Sequence, residues 1–382
     1  MKIKDICTGV TDGSHNPPQG ISVSDYLMLS SKNVFDNQIT LEDPRFLSEE
    51  DFEREHRRTN VSAGDVLITI VGTVGRAAVV GEDMPRFTLQ RSVAVLHPKK
   101  EVCSSKYLMY ALQSKRSYLE SRAKGVAQKG IYLKEVSDID LKVVPISEQQ
   151  IIVETLDKVA SIISMRTAEI QKLDELIKAR FVELFGDLNV NPKGWELKPF
   201  DELTNLITDG EHSTPRRCKE GIYLLSARNV LNHELQLEDV DYIDDEEYER
   251  ISKRIIPQSG DVLLSCSGTV GRCCCVPEGL KFQMVRSIAL LRFKEELNPV
   301  FAEYMITSDL VQQQIDKAKT ASSQANLFQG KIAKLRGFVP PRELQDEFLV
   351  FVKQVDKSKV VVQEALDKAQ LLFDSLMQEY FG

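Results

Sequence analysis

The chain has 382 residues, 42% apolar and 28% charged. That is enough for two ordinary domains with their own cores, and it excludes a disordered, fibrous or mini-protein class. No apolar run reaches the ~18 residues needed to cross a bilayer. The start, Met1-Lys2-Ile3-Lys4-Asp5, carries no signal-peptide pattern, so a soluble, cytoplasmic protein is expected. The 49 cationic against 57 acidic side chains, a net charge of −8, argue against a protein that coats nucleic acid without selectivity.

In chain order, the first distinctive string is Thr11-Asp12-Gly13-Ser14-His15, followed by Asn33-Val34 and by Ser48 placed three residues before Asp51, the spacing of a capping box. Gly64-Asp65-Val66-Leu67 then opens an apolar run read as a strand, which ends in the glycine turn Gly72-Thr73-Val74-Gly75-Arg76. Arg91-Ser92 and Gln128-Lys129-Gly130-Ile131 follow, up to Pro145. After the proline, Ser147 with Gln150 forms a second capping box, and Leu156, Ile163, Ile170, Ile177 and Leu184 recur every seven residues. This predicts one unbroken helix of ~55 Å at 1.5 Å per residue. Its apolar stripe must be buried, and a coiled coil with a second such helix is the expected solution. The polar stretch from Asp187 to Trp195 is the natural domain boundary.

Beyond it the chain repeats itself. Gly268-Thr269-Val270-Gly271-Arg272, Gly260-Asp261-Val262-Leu263 and Asn229-Val230 lie 196 residues after their first copies. Thr208-Asp209-Gly210-Glu211-His212 lies 197 after, and Arg286-Ser287 and Pro340 lie 195 after. Phe348, Val355, Val362, Ala369 and Leu376 give the second helix its stripe. The fold class is therefore α+β: two similar mixed α/β globules, each followed by a long helix.

Catalytic signatures are absent. There is no nucleophile elbow and no phosphate-binding loop. Asn16-Pro17-Pro18 lacks the aromatic that would stack on a flipped base, because Gln19 stands there. Of seven cysteines, Cys273, Cys274 and Cys275 take the places of Ala77, Ala78 and Val79, and Cys266 that of Ile70, so small apolar strand residues are expected rather than a metal site. His15 and His212 lack neighbouring ligands, so no metal and no directly bound cofactor are expected. The acidic runs Glu49-Glu50-Asp51-Phe52-Glu53 and Asp244 to Glu249 read as solvated helix faces. Local cationic clusters stand against the acidic total: Arg76, Arg86 and Arg91; Lys115, Arg116, Arg122, Lys124, Lys129 and Lys134; Arg216, Arg217, Lys219, Arg272 and Arg286. On loops, such side chains can reach base edges or grip phosphates.

With these strings in view the chain resembles the specificity subunits of type I restriction-modification systems over essentially its whole length. Its most specific markers are the passage from Gly64 to Arg76, the passage from Gln128 to Gln150, and the junction Phe185-Gly186-Asp187 through Trp195. The resemblance implies DNA target-recognition domains over 1–146 and 188–341 and spacer helices over 147–187 and 342–382, with the helices antiparallel. It implies a non-catalytic subunit that reads a bipartite, asymmetric site in double-stranded DNA. Two modification subunits would bring S-adenosylmethionine, and restriction subunits would bring ATP and Mg2+; no membrane is involved. Candidate DNA-binding residues are Thr11, Asp12, His15, Lys32, Asn33, Thr73, Arg76, Arg91, Gln128 and Lys129 in the first copy. Thr208, Asp209, His212, Arg228, Asn229, Thr269, Arg272, Arg286 and Gln324 are their counterparts in the second. A stand-alone DNA methyltransferase and a coiled-coil scaffold without a nucleic-acid role are the competing readings.

Overall fold

The computed structural model describes residues 1–124, 130–320 and 325–382. The chain forms two compact units, Met1–Ala168 with Gln363–Gly382, and Glu169–Val362.

In the first unit the antiparallel strands Cys7–Asp12, Val93–Pro98, Val66–Thr69 and Ala77–Val79 lie side by side in that order. A smaller sheet places Leu27–Leu29 between Arg45–Phe46 and Phe87–Leu89, pairing in parallel with the latter. The two-residue period of a strand explains why the central strands are apolar throughout. Val66, Ile68, Ala94 and Leu96 face one core, shared with Tyr107 and Leu108 of the helix Ser105–Ser114. Leu67, Val93 and Val95 face a second core, against Leu27, Leu29, Phe87 and Leu89.

The second unit repeats this plan with Thr204–Asp209, Ile288–Phe293, Val262–Ser265 and Cys273–Cys275 as the main sheet. Its cysteine strand alternates in the same way: Cys273 joins one core and Cys274 the other. Burial pushes the thiols of Cys7, Cys103 and Cys266 up to about 12, and holds those of Cys273, Cys274 and Cys275 well above the ordinary thiol range. Since the thiolate is the nucleophile, only the exposed Cys218 should react promptly with iodoacetamide at neutral pH. Mass spectrometry of the native protein should show one alkylated cysteine and the other six modified only after unfolding. Prompt modification of Cys274 would contradict the packing.

The long helices run from Ile146 to Phe185 and from Arg342 to Phe381. The capping box expected at Ser147 does not form. The helix starts one residue earlier, the carbonyl of Pro145 accepts from the amides of Glu148 and Gln149, and Gln150 Nε2 turns to Glu154 at 3.2 Å. The anchor is the fully buried Gln149. Its Nε2 donates to Val102 O and Val144 O at 2.9 and 2.8 Å, and its Oε1 accepts from Ser104 N at 2.9 Å. Gln345 makes the equivalent bonds to Glu296 O, Pro340 O and Asn298 N.

The stripes are buried against each other, as expected, and against the globules as well. In the first unit Ile152 and Leu156 of one helix share a core with Phe381 of the other and with Tyr107 and Leu112 of the globule. In the second unit Ile177, Phe181 and Leu184 share one with Phe348, Val352 and Val355 and with Phe301 and Phe338. The beginning of one helix therefore packs beside the end of the other in each unit, so the two run antiparallel.

Candidate nucleic-acid interface

Strand pairing gathers the shared motifs at one edge of each main sheet. In the first unit Asp12 faces Ala94, Thr69 faces Val93 and Ile68 faces Ala77, so two strands end and two begin together there. Ser92 ties their loops to one another: its Oγ accepts from Ser31 N at 3.0 Å and its carbonyl from Val71 N at 3.3 Å. Arg91 N donates to Ser14 O at 2.9 Å, and Ile131 N to Ile70 O at 2.9 Å. Ser287 does the same in the second unit, accepting from Ala227 N on its Oγ and from Cys266 N on its carbonyl, while Arg286 N donates to Glu211 O. The duplicated Arg-Ser dipeptide thus connects the histidine loop, the asparagine loop and the glycine turn. The helix anchor Gln149 contacts Val102 and Ser104, which follow the far end of the strand Val93–Pro98, leaving the loop edge free of it.

Within the histidine loop, Asp12 is buried and bonds His15 Nε2 at 2.7 Å and Arg58 Nη2 at 2.5 Å. Asp209 bonds His212 at 2.7 Å and Arg254 at 2.6 Å. The aspartates therefore act as braces, and the histidines, more than half exposed, are the groups presented outward. Gly13 is required by close approach: a Cβ there would lie 2.1 Å from Leu89 O, and one at Gly210 would lie 2.3 Å from Met284 O. In the glycine turn, Gly72 and Gly75 hold φ of +85° and +91°, and Gly268 and Gly271 hold +74° and +99°, a region open mainly to glycine. The turn closes through Arg76 N on Thr69 Oγ1 at 3.0 Å, repeated by Arg272 N on Ser265 Oγ at 2.9 Å. Thr73 and Thr269 stand exposed at its tip.

The cations differ in what they face. Arg86, Arg116, Arg216 and Arg217 pair with Glu53, Asp36, Asp244 with Glu246, and Asp241 respectively. Lys32 pairs with Asp43 at 2.5 Å, and Arg228 with Asp239 and Asp241 at 3.6 and 3.4 Å. Arg76, Arg91, Arg272 and Arg286 have no carboxylate partner among the described residues. All four sit at the loop edge, with Arg76 lying over the Phe35 ring at 4.9 Å. A guanidinium already facing a carboxylate must give up that pair to take a phosphate, and these four need not.

Asn33 and Asn229 turn their side chains inward, bracing their own loops. Both are buried. The Asn33 amide donates to Glu42 O and accepts from Ser30 N, and that of Asn229 donates to Gln236 O and Asp239 O and accepts from Ser226 N. Thr11 is likewise turned inward, with a buried Oγ1, while Thr208 Oγ1 donates to Asp209 O at 3.3 Å. Gln128, Lys129 and Gln324 lie outside the described residues.

The acidic runs are more than a solvated face. They form first helical turns capped by Ser48 and Asp244, where negative charge suits the helix dipole. The first of these helices carries Arg57 and Arg58 in its last turn, and Arg58 is the residue that pairs with Asp12. Sequence reasoning missed Arg58 and Arg254, although they stand 196 residues apart like the other matched residues. It also missed Tyr132 and Phe328, at the same separation and 70% and 63% exposed. Hydrogen bonding from Ser213 holds Glu211 below the usual carboxylate range against its partial burial, with Arg250 and Arg254 adding to the effect. The second unit thus keeps an anion where the first has Ser14. Among the described residues no cluster suited to a metal occurs and no helix is long and apolar enough to cross a membrane.

A duplicated α+β unit with an edge of unpaired arginines, followed each time by a long helix, is the plan of a tandem recognition protein. The chain belongs to the type I restriction-modification DNA specificity family: the model of the type I restriction modification DNA specificity domain matches residues 20–175 and again 192–368. It is 20% identical to the type I restriction enzyme MjaVIII specificity subunit of Methanocaldococcus jannaschii over 336 residues, 81% of this chain and 77% of that one. It is 27% identical to the EcoBI specificity subunit of Escherichia coli over 155 residues, 40% of this chain and 31% of that one. Its fold matches the crystal structure of the type I system S subunit from M. genitalium with a TM-score of 0.56 at 13% identity, covering 100% of this chain and 95% of that one. A chain solved to explain complex assembly and conformational transition of the type I R-M system matches at 0.53 with 15% identity, covering 100% and 96%. Specificity, not catalysis, is the role this membership gives the chain.

Proposed function

We propose that each unit reads one half of a bipartite, asymmetric sequence in double-stranded DNA through its loop edge, and that the paired long helices set the gap between halves. The observation that carries this reading is the recurrence, in both units, of unpaired arginines at the same edge of the same sheet. Arg76 and Arg91, with Arg272 and Arg286, grip phosphates or guanine edges, while the outward His15 and His212 and the tips at Thr73 and Thr269 complete the surface. Two such edges with different neighbouring side chains read different half-sites, hence the asymmetry. The net charge of −8 is tolerable because base contacts need only local donors and partners supply further phosphate contacts.

The helices dock two modification subunits. Ile151 and Leu371 are 64% and 69% exposed, and Val182 and Val350 are 50% and 57% exposed. Such apolar side chains left in water on long helices suit an interface with other helices. S-adenosylmethionine belongs to those modification subunits, and ATP and Mg2+ to restriction subunits that join them. Co-expression with a modification subunit, followed by mapping of methylated adenines, should give a split, non-palindromic sequence with a fixed gap. A continuous palindrome, or no methylation, counts against the proposal. Binding of S-adenosylmethionine by the isolated chain would favour a stand-alone methyltransferase, and absence of DNA protection with partners present would favour a scaffold.

A further inference from the structure

We infer that Gln90 is a base-reading residue of the first unit, selecting an adenine in its half-site, and that the second unit has lost this contact by carrying Val285 there. The inference rests on the DNA-reading function proposed above and goes beyond it to one side chain.

Gln90 sits at the centre of the loop edge, and its backbone is fully engaged. Its amide donates to Leu29 O at 2.8 Å and its carbonyl accepts from Val93 N at 3.0 Å. Ser14 runs parallel beside it, and Arg91 follows directly. The close passage at Gly13 against Leu89 is what allows this pairing, which gives that glycine a reason tied to the surface as well as to the fold. The side chain, by contrast, has no hydrogen-bond partner among the described residues. It lines an open cleft of about 510 Å³ with Ser30, Lys32, Asp43, Arg45 and Ile21. A primary amide with both its donor and its acceptor unused, half-buried in a cleft, pairs bidentately with adenine N6 and N7 in the major groove. The neighbouring Arg91 guanidinium, without a carboxylate partner, is placed to hold a phosphate and so to orient the amide.

The second unit supplies the contrast. Val285 occupies the matching place, running parallel beside Glu211 and packed in part against Leu224 and Ile243. The position of Arg45 is taken by Asp241, which joins Arg217 at 3.1 Å and Arg228 at 3.4 Å. The frame of backbone bonds is the same in both units, and the side chains set into it differ in chemistry. That is the pattern expected where two readers share a scaffold and differ in the base they accept. Valine has no donor or acceptor and can only meet an apolar group such as the thymine methyl.

The test uses the full chain reconstituted with its modification subunits, assayed on duplexes carrying each base at every first half-site position. Gln90→Val should lower methylation of the preferred duplex by about 10- to 100-fold, flatten the preference at one position, and leave the second half-site untouched. Gln90→Glu keeps the size and removes the donor, so it should move the preference at that position from adenine toward cytosine, whose N4 donates. An unchanged sequence with either variant overturns the inference, as does a uniform loss at all positions, which marks a positioning role. A wild-type complex that methylates no split sequence overturns the underlying reading instead. Because the amide has no partner to lose, both variants should melt with the wild-type protein. A lowered melting temperature would show the side chain to be structural and would also overturn the assignment.

Discussion

Phe185→Ala is expected to destabilise the second unit by about 3–5 kcal/mol, the usual cost of removing a fully buried aromatic ring. The ring is 0% exposed, with ring centroids of Phe181 and Phe301 at 4.9 Å, Phe348 at 5.8 Å and Phe338 at 6.1 Å. Those neighbours come from both long helices and from the globule, so the cavity would loosen helix and reader together. The backbone is involved too, because Phe185 O accepts from Trp195 Nε1 at 2.8 Å, and this bond holds the junction against the helix end. Ile151→Ala, at a largely exposed site on the same helix, should stay within about 0.5 kcal/mol. Chemical denaturation followed by tryptophan fluorescence reports on this region directly, because Trp195 is the single tryptophan. A loss below ~1 kcal/mol for Phe185→Ala would mean that the cluster does not secure the helix.

Replacing residues 1–146 with the matching segment of another specificity subunit should change one half of the methylated sequence completely, leaving the other half and the gap as they were. Methylome mapping of the chimera is the measurement, and a change in both halves would defeat the modular reading. The structure adds a condition on the cut. Ser104 and Val102 must still receive Gln149, and the Tyr107 ring must still meet Phe381, 5.1 Å away. A donor lacking a large ring at the position of Tyr107 should yield an insoluble chimera through loss of packing, with no bearing on how DNA is read.

The duplication made the architecture readable from the amino acids alone, because a string such as Gly-Thr-Val-Gly-Arg repeated at fixed separation implies a repeated fold. The heptad positions were equally plain, as none of the ten residues named for the two stripes is exposed. What identity between copies could not reveal was direction. Asn33 and Asn229 are matched because each closes a loop from inside, whereas Arg91 and Arg286 are matched and point outward. Ion pairing was hidden for a similar reason: Arg116 reaches Asp36 across 80 residues, a distance along the chain that no local pattern encodes. Arg58 escaped notice because it lies in the last turn of a helix whose acidic first turn dominates its composition. The start of the long helix moved from Ser147 to Ile146 because a local capping pattern lost to a carbonyl at Pro145 and a tertiary anchor at Gln149.

The first compact unit contains residues 1–168 together with 363–382, which bears on synthesis. A ribosome adds about 5–20 residues per second and domains usually fold in the order they emerge. Here the order is reversed, since every residue of the second unit, 169–362, is made before the first can complete its core around Phe381. During that interval Tyr107, Leu112, Ile152 and Leu156 lack their last covering layer. The nascent first reader is therefore the stage at which this chain is most open to chaperones, and a premature stop within the final helix would strand it there.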